Sequence, residues 1–273
     1  MKACQPVMEK KTDHLMRPER EGELDCFRFA HLLHLDGVRH AVFGRQGGVS
    51  RGAYRSLNVS YGCGDDPACV AENRRRIARW SGAQDVVYLN QVHGDRVLVL
   101  KAGCTAAPAG KQEPPATADA VVTDIAHKFL AIQVADCQAV LMYDPQCRVI
   151  ANVHCGWRGS VQNILQKTVR VMVDAFGCRA PDIRAGIGPS LGPCCAQFVN
   201  YRLELPPAFH RYMLRGRRFD FWAISRHQLL AAGLAEPHIT VGGRCTRCDS
   251  RHFYSYRARR ITGRFAAVIG LAG

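Results

Sequence analysis

The chain alternates short apolar runs with amphipathic stretches, a pattern that predicts a mixture of strands and helices. Apolar runs rich in β-branched residues are typical of strands that are buried on both faces. Such runs occupy residues 38–43, 86–90, 129–134, 139–143, 149–153 and 183–187. We therefore expect a mixed α/β architecture.

Three stretches carry the apolar period and the end signals of helices. Asp66 is a predicted N-cap, and Pro67 suits the first helical position. Gly177 is expected to close a helix whose apolar residues follow the period of 3.6 residues. The three predicted helices cover residues 67–80, residues 161–176 and the stretch between Asp220 and Gly233.

The first 23 residues differ in character from the rest of the chain. They are polar and lack the apolar stretch of a secretory signal, so we interpret residues 1–23 as a polar N-terminal extension. Residues 24–273 contain no linker with a composition shift on both sides, which predicts a single domain. Within them, the proline-rich stretch 102–117 has the composition of a surface loop.

Hydropathy and cysteine content limit the environment of the protein. No charge-free run approaches the roughly 18 residues of a membrane helix, so we expect no membrane partner. Thirteen cysteines without a signal segment predict a reducing cytoplasm. Cys245 and Cys248 have the spacing of half a zinc knuckle, but no second pair of matching spacing lies near them. We interpret them as a loop feature.

Three of the apolar runs are each followed by a possible metal ligand. These ligands are the imidazoles of His93 and His154 and the thiol of Cys137. These are ligand types of catalytic zinc, which keeps three protein ligands and an open fourth position. Their separations are too long for a zinc finger, and a histidine or cysteine beside an apolar run is often an ordinary core residue. Spacing alone therefore leaves both interpretations open.

Short motifs in a fixed order run through nearly the whole chain. Among them are Arg45-Gln46-Gly47-Gly48-Val49-Ser50, Gln91-Val92-His93-Gly94, Ala135-Asp136-Cys137, His154-Cys155-Gly156-Trp157-Arg158-Gly159 and Phe253-Tyr254-Ser255-Tyr256-Arg257. Over residues 24–273 the chain resembles the YfiH family, which is also called the polyphenol oxidase or laccase-domain family and purine nucleoside phosphorylase. The sequence departs from it at Ala196-Gln197-Phe198, where the family usually has Tyr-Glu-Val.

The resemblance implies a YfiH-like catalytic domain of stacked mixed β-sheets flanked by helices. It also implies a zinc enzyme that phosphorolyses adenosine, inosine and methylthioadenosine and deaminates adenosine, so the expected partners are a nucleoside and phosphate. Carried over by motif, the metal ligands are His93, Cys137 and His154. Metal-activated water would account for deamination, whereas phosphorolysis needs a held phosphate.

Three charged side chains are candidates for chemistry beside these ligands. Asp119 and Asp136 could serve in acid–base catalysis or orient a ligand imidazole, although a strand-end cap explains Asp119 equally well. Arg158 lies in a predicted strand-to-helix turn, where its charge and free backbone N–H groups could hold an anion.

A separate segment is our candidate for binding phosphate. Arg45 lies beside the flexible pair Gly47 and Gly48 and the hydroxyl of Ser50. Guanidinium groups bind phosphate through a planar fork of N–H donors. The alternative interpretation of the segment is an ordinary glycine turn after the strand predicted at residues 38–43.

The net charge of +14 comes almost entirely from arginine. This excess suits an anionic co-substrate and would also suit nucleic acid. We find no nucleic-acid motif, so we rank a non-enzymatic nucleic-acid-binding role last. We interpret the basic runs 74–76, 217–218 and 257–260 as solvated faces.

Two other enzymatic functions use the same three residues. The second-ranked one is a copper-dependent, laccase-like polyphenol oxidase, because Cu(II) competes with Zn(II) for such ligands. None of the eleven histidines forms the His-X-His pairs that a laccase needs. The third is a thiol hydrolase or amidase, such as one acting on cell-wall precursors, with Cys137 as a nucleophile activated by His93 or His154.

Overall fold

The computed structural model describes residues 16–83, 86–101 and 115–272. Its strands are β1 Met16–Glu21, β2 Leu24–Phe29, β3 Val38–Phe43, β4 Val86–Tyr88, β5 Val97–Leu100, β6 Ala120–Thr123, β7 Phe129–Val134, β8 Gln138–Asp144, β9 Val149–Cys155, β10 Arg184–Ile187, β11 Met213–Leu214, β12 Arg218–Phe219, β13 Ile239–Val241 and β14 Phe265–Leu271. Its α-helices are α1 Ala30–Leu33, α2 Pro67–Ser81, α3 Trp157–Val161, α4 Ile164–Phe176, α5 Tyr201–Glu204 and α6 Phe221–Ala231. None of the described helices is long and apolar enough to span a membrane.

Two six-stranded sheets form the framework of the fold. The first has the strand order β1-β2-β3-β14-β7-β4, and the second has the order β13-β10-β8-β9-β6-β5. Most neighbouring strands are antiparallel, whereas β4 and β7, β5 and β6, and β10 and β13 are parallel pairs. Both sheets are therefore mixed.

Apolar side chains from the facing sides of the two sheets meet in one buried core. Leu130 and Ile132 of β7 pack there with Leu141 of β8 and Ile150 of β9. The outer side of the first sheet is covered by α2 through Trp80, and that of the second by α4 and α6. The prediction of a mixed α/β fold with stacked mixed sheets and flanking helices is confirmed.

Local signals explain the ends of the helices. The side chain of Asp66 accepts a hydrogen bond from the N–H of Ala68 at 2.8 Å, and Gly82 ends α2 in the left-handed conformation. The second predicted helix is interrupted between α3 and α4, where Asn163 has a φ of 56°. Asparagine tolerates this conformation better than most residues. The apolar period continues across the interruption, so the sequence pattern did not reveal it.

The predicted N-terminal extension is corrected by the structure at residues 16–21, which form β1. This strand pairs with β2 along its whole length, from Met16 opposite Phe29 to Glu21 opposite Leu24. It is an edge strand, and edge strands commonly carry charged residues; the polar composition therefore concealed it. Residues 1–15 lie outside the described residues, as does most of the predicted surface loop at 102–117.

The chain passes from the first sheet to the second twice near the same point. One crossing is the segment 89–96 between β4 and β5, and the other is the segment 135–137 between β7 and β8. Both crossings come close to the end of β9. Each of these three places carries one predicted metal ligand.

Candidate metal centre

The predicted ligands His93, Cys137 and His154 come together where the two crossings meet β9. Each offers one ligand atom, and these atoms lie within 4.8 Å of one another. The two imidazole ring centroids are 4.8 Å apart, with the ring planes nearly perpendicular at 77°. This clustering of two imidazoles and one thiol fits coordination of a single ion with a fourth position left open.

Two residues with positive φ angles lie at the ligand cluster, and Gly156 leaves space beside two of the ligands. Asp136 has a φ of 87°, and His93 has a φ of 61°; positive values are uncommon for residues with a side chain and recur at functional sites. A Cβ atom at Gly156 would lie 3.0 Å from the Sγ of Cys137 and 3.3 Å from the Cδ2 of His93. A larger residue at this position would press on two ligands.

Asp119 fixes the orientation of the His154 ring. Its fully buried carboxylate accepts a hydrogen bond from the Nδ1 of His154 at 2.7 Å, and others from the backbone N–H groups of His93 and Gly94 at 2.9 and 2.7 Å. Burial alone would raise the pKa of Asp119, but these hydrogen bonds outweigh it and hold the pKa below its usual value. Because an ionised carboxylate only accepts hydrogen bonds, Nδ1 carries a proton, and Nε2 is the ring nitrogen that could bind a metal.

Cys137 and His154 shift each other's ionisation. Burial raises the pKa of the Cys137 thiol, but the charge and hydrogen bonds of His154 and His93 outweigh that effect and lower it to about 6. Burial lowers the pKa of His154, but Cys137 and Asp119 outweigh it and raise the pKa to about 9. Near neutral pH the metal-free pair is thus thiolate and imidazolium, and metal uptake requires the His154 imidazolium to lose a proton.

This pairing predicts that Cys137 is alkylated faster than the buried Cys155 in the metal-free protein. The thiolate is the reactive form, so iodoacetamide should modify Cys137 near neutral pH, with a rate that falls as the pH drops below about 6. Cys155 is the internal control, because burial raises its pKa to about 12. Peptide mass spectrometry across about pH 5 to 8 measures both rates. A Cys137 rate that is independent of pH, or equal to that of Cys155, would contradict the prediction.

A cleft of about 1770 Å³ opens above the three ligands. Its walls combine aromatic rings with basic side chains, as expected for a site that binds a flat, partly apolar ligand together with an anion. The aromatic residues are Tyr61, Tyr88, Trp157, Phe198, Phe221 and Tyr256, and the basic residues are Arg74, Lys128, Arg158, Arg257, Arg260 and Arg264.

Three of the cleft arginines contact an aromatic ring or donate hydrogen bonds to uncharged oxygen atoms. The guanidinium of Arg158 lies 4.4 Å from the ring centroid of Trp157. Arg260 donates a hydrogen bond to the hydroxyl of Tyr256 at 3.1 Å, and Arg257 donates one to a backbone carbonyl. Within the described ranges, no ion pair joins these three guanidinium groups to a carboxylate. Their positive charge is available to an anion in the cleft.

Comparison with known proteins identifies the family. Residues 39–272 match the family model described as multi-copper polyphenol oxidoreductase laccase. The chain belongs to this laccase-domain family, whose members include the YfiH and YlmD proteins.

Curated relatives carry a different activity in their names. The chain is 39% identical over 246 residues to a purine nucleoside phosphorylase of Deinococcus radiodurans, with 86% of this chain and 89% of the relative covered. It is 32% identical to purine nucleoside phosphorylase YfiH of Escherichia coli, with 86% and 94% covered. The crystal structure of YlmD from Geobacillus stearothermophilus superimposes with a TM-score of 0.82 at 31% identity, covering 94% of this chain and 99% of that one.

The segment predicted to bind phosphate does not line the cleft. The guanidinium of Arg45 donates hydrogen bonds to the carbonyl oxygens of Arg55 and Ser250 and lies 4.5 Å from the ring centroid of Tyr254. A Cβ at Gly47 or Gly48 would come within 2.1 Å of a backbone oxygen. These contacts explain the segment as a closely packed turn.

Ser50 and Asp136 also have neighbours within the protein. The Ser50 hydroxyl donates to the carboxylate of Asp65 at 2.6 Å. The Asp136 carboxylate accepts hydrogen bonds from the Thr246 hydroxyl at 2.7 Å and from the backbone N–H of Arg257 at 2.6 Å. Asp136 thereby anchors the segments that carry Thr246 and Arg257 beside Cys137. An acid–base role for Asp136 and a phosphate role for Arg45 and its neighbours stay predictions.

Sequence reasoning missed part of the cleft. The basic runs at 74–76 and 257–260 were expected to be solvated faces, but Arg74, Arg257 and Arg260 line the cleft. The available signal was that the second run begins at Arg257, the last residue of the aromatic motif 253–257. An aromatic and a basic side chain close together can hold the two parts of a phosphorylated or nucleoside ligand.

Proposed function

We propose that this protein is a zinc-dependent purine nucleoside phosphorylase that acts on adenosine, inosine and methylthioadenosine and also deaminates adenosine. The observation that carries the proposal is an open His-Cys-His site at the floor of a cleft with aromatic and arginine walls. The names of the relatives agree with it. The cysteine-rich sequence supports the cytoplasm as its location.

The donor set fits zinc. Imidazole and thiolate are common zinc ligands, and the hydrogen bond from His154 to Asp119 fixes the ring and its tautomer, as in other zinc sites. When bound here, zinc would supply a Lewis acid that polarises a substrate oxygen or lowers the pKa of water. Asp119 keeps His154 in place throughout the reaction, while Gly156 keeps the approach clear.

The cleft provides for the other needs of phosphorolysis. Trp157 and Phe198 can stack on a purine, and Arg257 and Arg260 can hold phosphate through paired N–H donors. In the reaction a phosphate oxygen bonds to the ribose C1′ as the bond to the purine breaks. Arginines that hold phosphate beside C1′ contribute by positioning and charge neutralisation. We therefore assign phosphate binding to the cleft arginines in preference to Arg45.

Polyphenol oxidation is the second candidate, because the family description favours it. Oxygen reduction to water takes four electrons, and laccases distribute it over several copper ions. Among the described residues, only one cluster with metal-binding geometry contains histidine, and it holds two. A single ion at this site is poorly suited to that reaction. The thiol hydrolase or amidase is the third, supported by the Cys137 thiol beside two imidazoles.

One assay distinguishes these functions. The enzyme is incubated with adenosine, with and without phosphate, and the products are separated by chromatography. We expect adenine and ribose 1-phosphate only with phosphate, inosine also without it, and loss of both after chelation, with recovery on adding zinc. Full activity of the metal-free protein that alkylation of Cys137 abolishes would favour the thiol hydrolase. Untouched nucleosides together with copper-dependent oxidation of a phenolic dye would favour the oxidase.

A further inference from the structure

Four cysteines form a second cluster, away from the His-Cys-His site. Cys194 and Cys195 lie between β10 and α5, and Cys245 and Cys248 follow β13. Their sulfur atoms lie within 4.8 Å of one another. The interpretation of Cys245 and Cys248 as a loop feature overlooked a partner pair, because the partners are adjacent in sequence and do not repeat the spacing of a knuckle.

The arrangement has the dimensions of a single tetrahedral metal ion. With zinc–sulfur bonds of about 2.3 Å, four tetrahedral thiolates lie about 3.8 Å apart. The sulfur of Cys248 is 3.6 Å from that of Cys194 and 3.5 Å from that of Cys195. An iron–sulfur cluster would distribute its thiolates over several iron atoms and spread them more widely.

The backbone segments at Gly192 and Cys245 lie in close contact beside the cluster. The N–H of Gly192 donates to the sulfur of Cys245 at 3.3 Å, a contact that stabilises a thiolate. A Cβ at Gly192 would lie only 2.9 Å from the Cβ of Cys245. Ser190 and Cys245 pair as a parallel bridge, and the N–H of Thr246 donates to the carbonyl of Ser190. Contacts within the protein therefore hold the two segments together without an ion.

We propose that Cys194, Cys195, Cys245 and Cys248 bind one structural zinc ion. Four protein ligands close the coordination sphere, as in structural zinc sites. The ion links the segment that leads from Cys195 to Phe198 in the cleft wall with the segment in which Thr246 holds Asp136 beside Cys137. Zinc here fixes the cleft wall and takes no part in the reaction. The proposal goes beyond the proposed function and does not depend on it.

Zinc content measured by plasma mass spectrometry separates the two sites. A His93→Ala/His154→Ala variant, which lacks the cleft site, should keep one zinc per chain. Cys194→Ser/Cys248→Ser should hold one zinc fewer than the wild type, and the matched control Cys69→Ser should match the wild type. Zinc loss from Cys194→Ser/Cys248→Ser supports this site whatever the turnover, whereas wild-type zinc content in that variant overturns it. Absence of nucleoside turnover from wild-type protein that holds both zinc ions would count against the proposed function alone.

Cobalt substitution keeps the test valid if the cysteine variant fails to fold. The His93→Ala/His154→Ala variant loaded with Co(II) should show the sulfur-to-metal charge-transfer and intense visible bands of a tetrahedral tetrathiolate. The proposal is overturned if this variant binds no zinc and shows no such bands. It is also overturned if non-reducing peptide mapping finds a disulfide among the four cysteines, or if the native metal is iron.

Discussion

Cys137→Ala should lower kcat/KM for adenosine phosphorolysis and deamination by at least about 100-fold, equivalent to about 2.7 kcal/mol of transition-state stabilisation. The thiolate is the softest of the three cleft ligands, and alanine offers no donor in its place. The variant should therefore lose the cleft metal and with it both activities. Steady-state kinetics on zinc-supplemented protein give the comparison.

Cys155→Ala is the matched control for this experiment. Cys155 belongs to the same strand as His154 and is also buried, but its sulfur contacts the hydroxyl of Ser160 at 3.3 Å and belongs to no described metal-binding cluster. Its replacement should leave kcat/KM within about threefold of the wild type. Equal losses in both variants would indicate damage to the fold. Wild-type activity in Cys137→Ala would refute the ligand assignment.

The second large effect is expected from Asp119→Asn. The Asp119 carboxylate serves three close donors: the Nδ1–H of His154 and the backbone N–H groups of His93 and Gly94. An asparagine has one carbonyl oxygen, and its amide N–H₂ would face a donor, so at least one buried N–H loses its partner. We expect zinc affinity to fall about 10- to 100-fold and the free energy of unfolding to fall by about 3 kcal/mol.

Competition with a chromophoric chelator measures the affinity, and urea unfolding measures the stability. Asp95→Asn is the control, because Asp95 lies in the segment that carries His93 but pairs with Lys167 at the surface. Surface ion pairs contribute about 0 to 1 kcal/mol, so this variant should bind zinc as the wild type does. If Asp119→Asn also binds zinc as tightly as the wild type, Asp119 does not orient His154.

The sequence was informative where local signals determine the structure. Asp220 predicted the start of α6, and its side chain accepts a hydrogen bond from the N–H of Ala223 at 2.9 Å. His93, Cys137 and His154 were expected to lie together because each follows an apolar run and stands in a family motif, and the structure brings them together. The edge strand β1 was missed because its composition is polar, and the interruption at Asn163 was missed because the apolar period continues across it.

Long-range pairing accounts for what the sequence did not reveal. Strand β14 is fully buried and lies between β3 and β7. A continuous apolar run has no period that separates a buried strand from a buried helix, and its pairing partners are not visible in the sequence. Arg45 likewise looked suited to phosphate from its neighbours in sequence, yet its guanidinium contacts Ser250, which is 205 positions away.

Anomalous diffraction at the zinc edge tests the central claim most directly. Zinc-loaded crystals of the wild type should show a peak bonded to His93, Cys137 and His154, with the fourth position open to the cleft. Crystals of Cys137→Ala should lack that peak. Absence of the peak from the wild type, or a fourth protein ligand closing the site, would contradict a catalytic metal in this cleft.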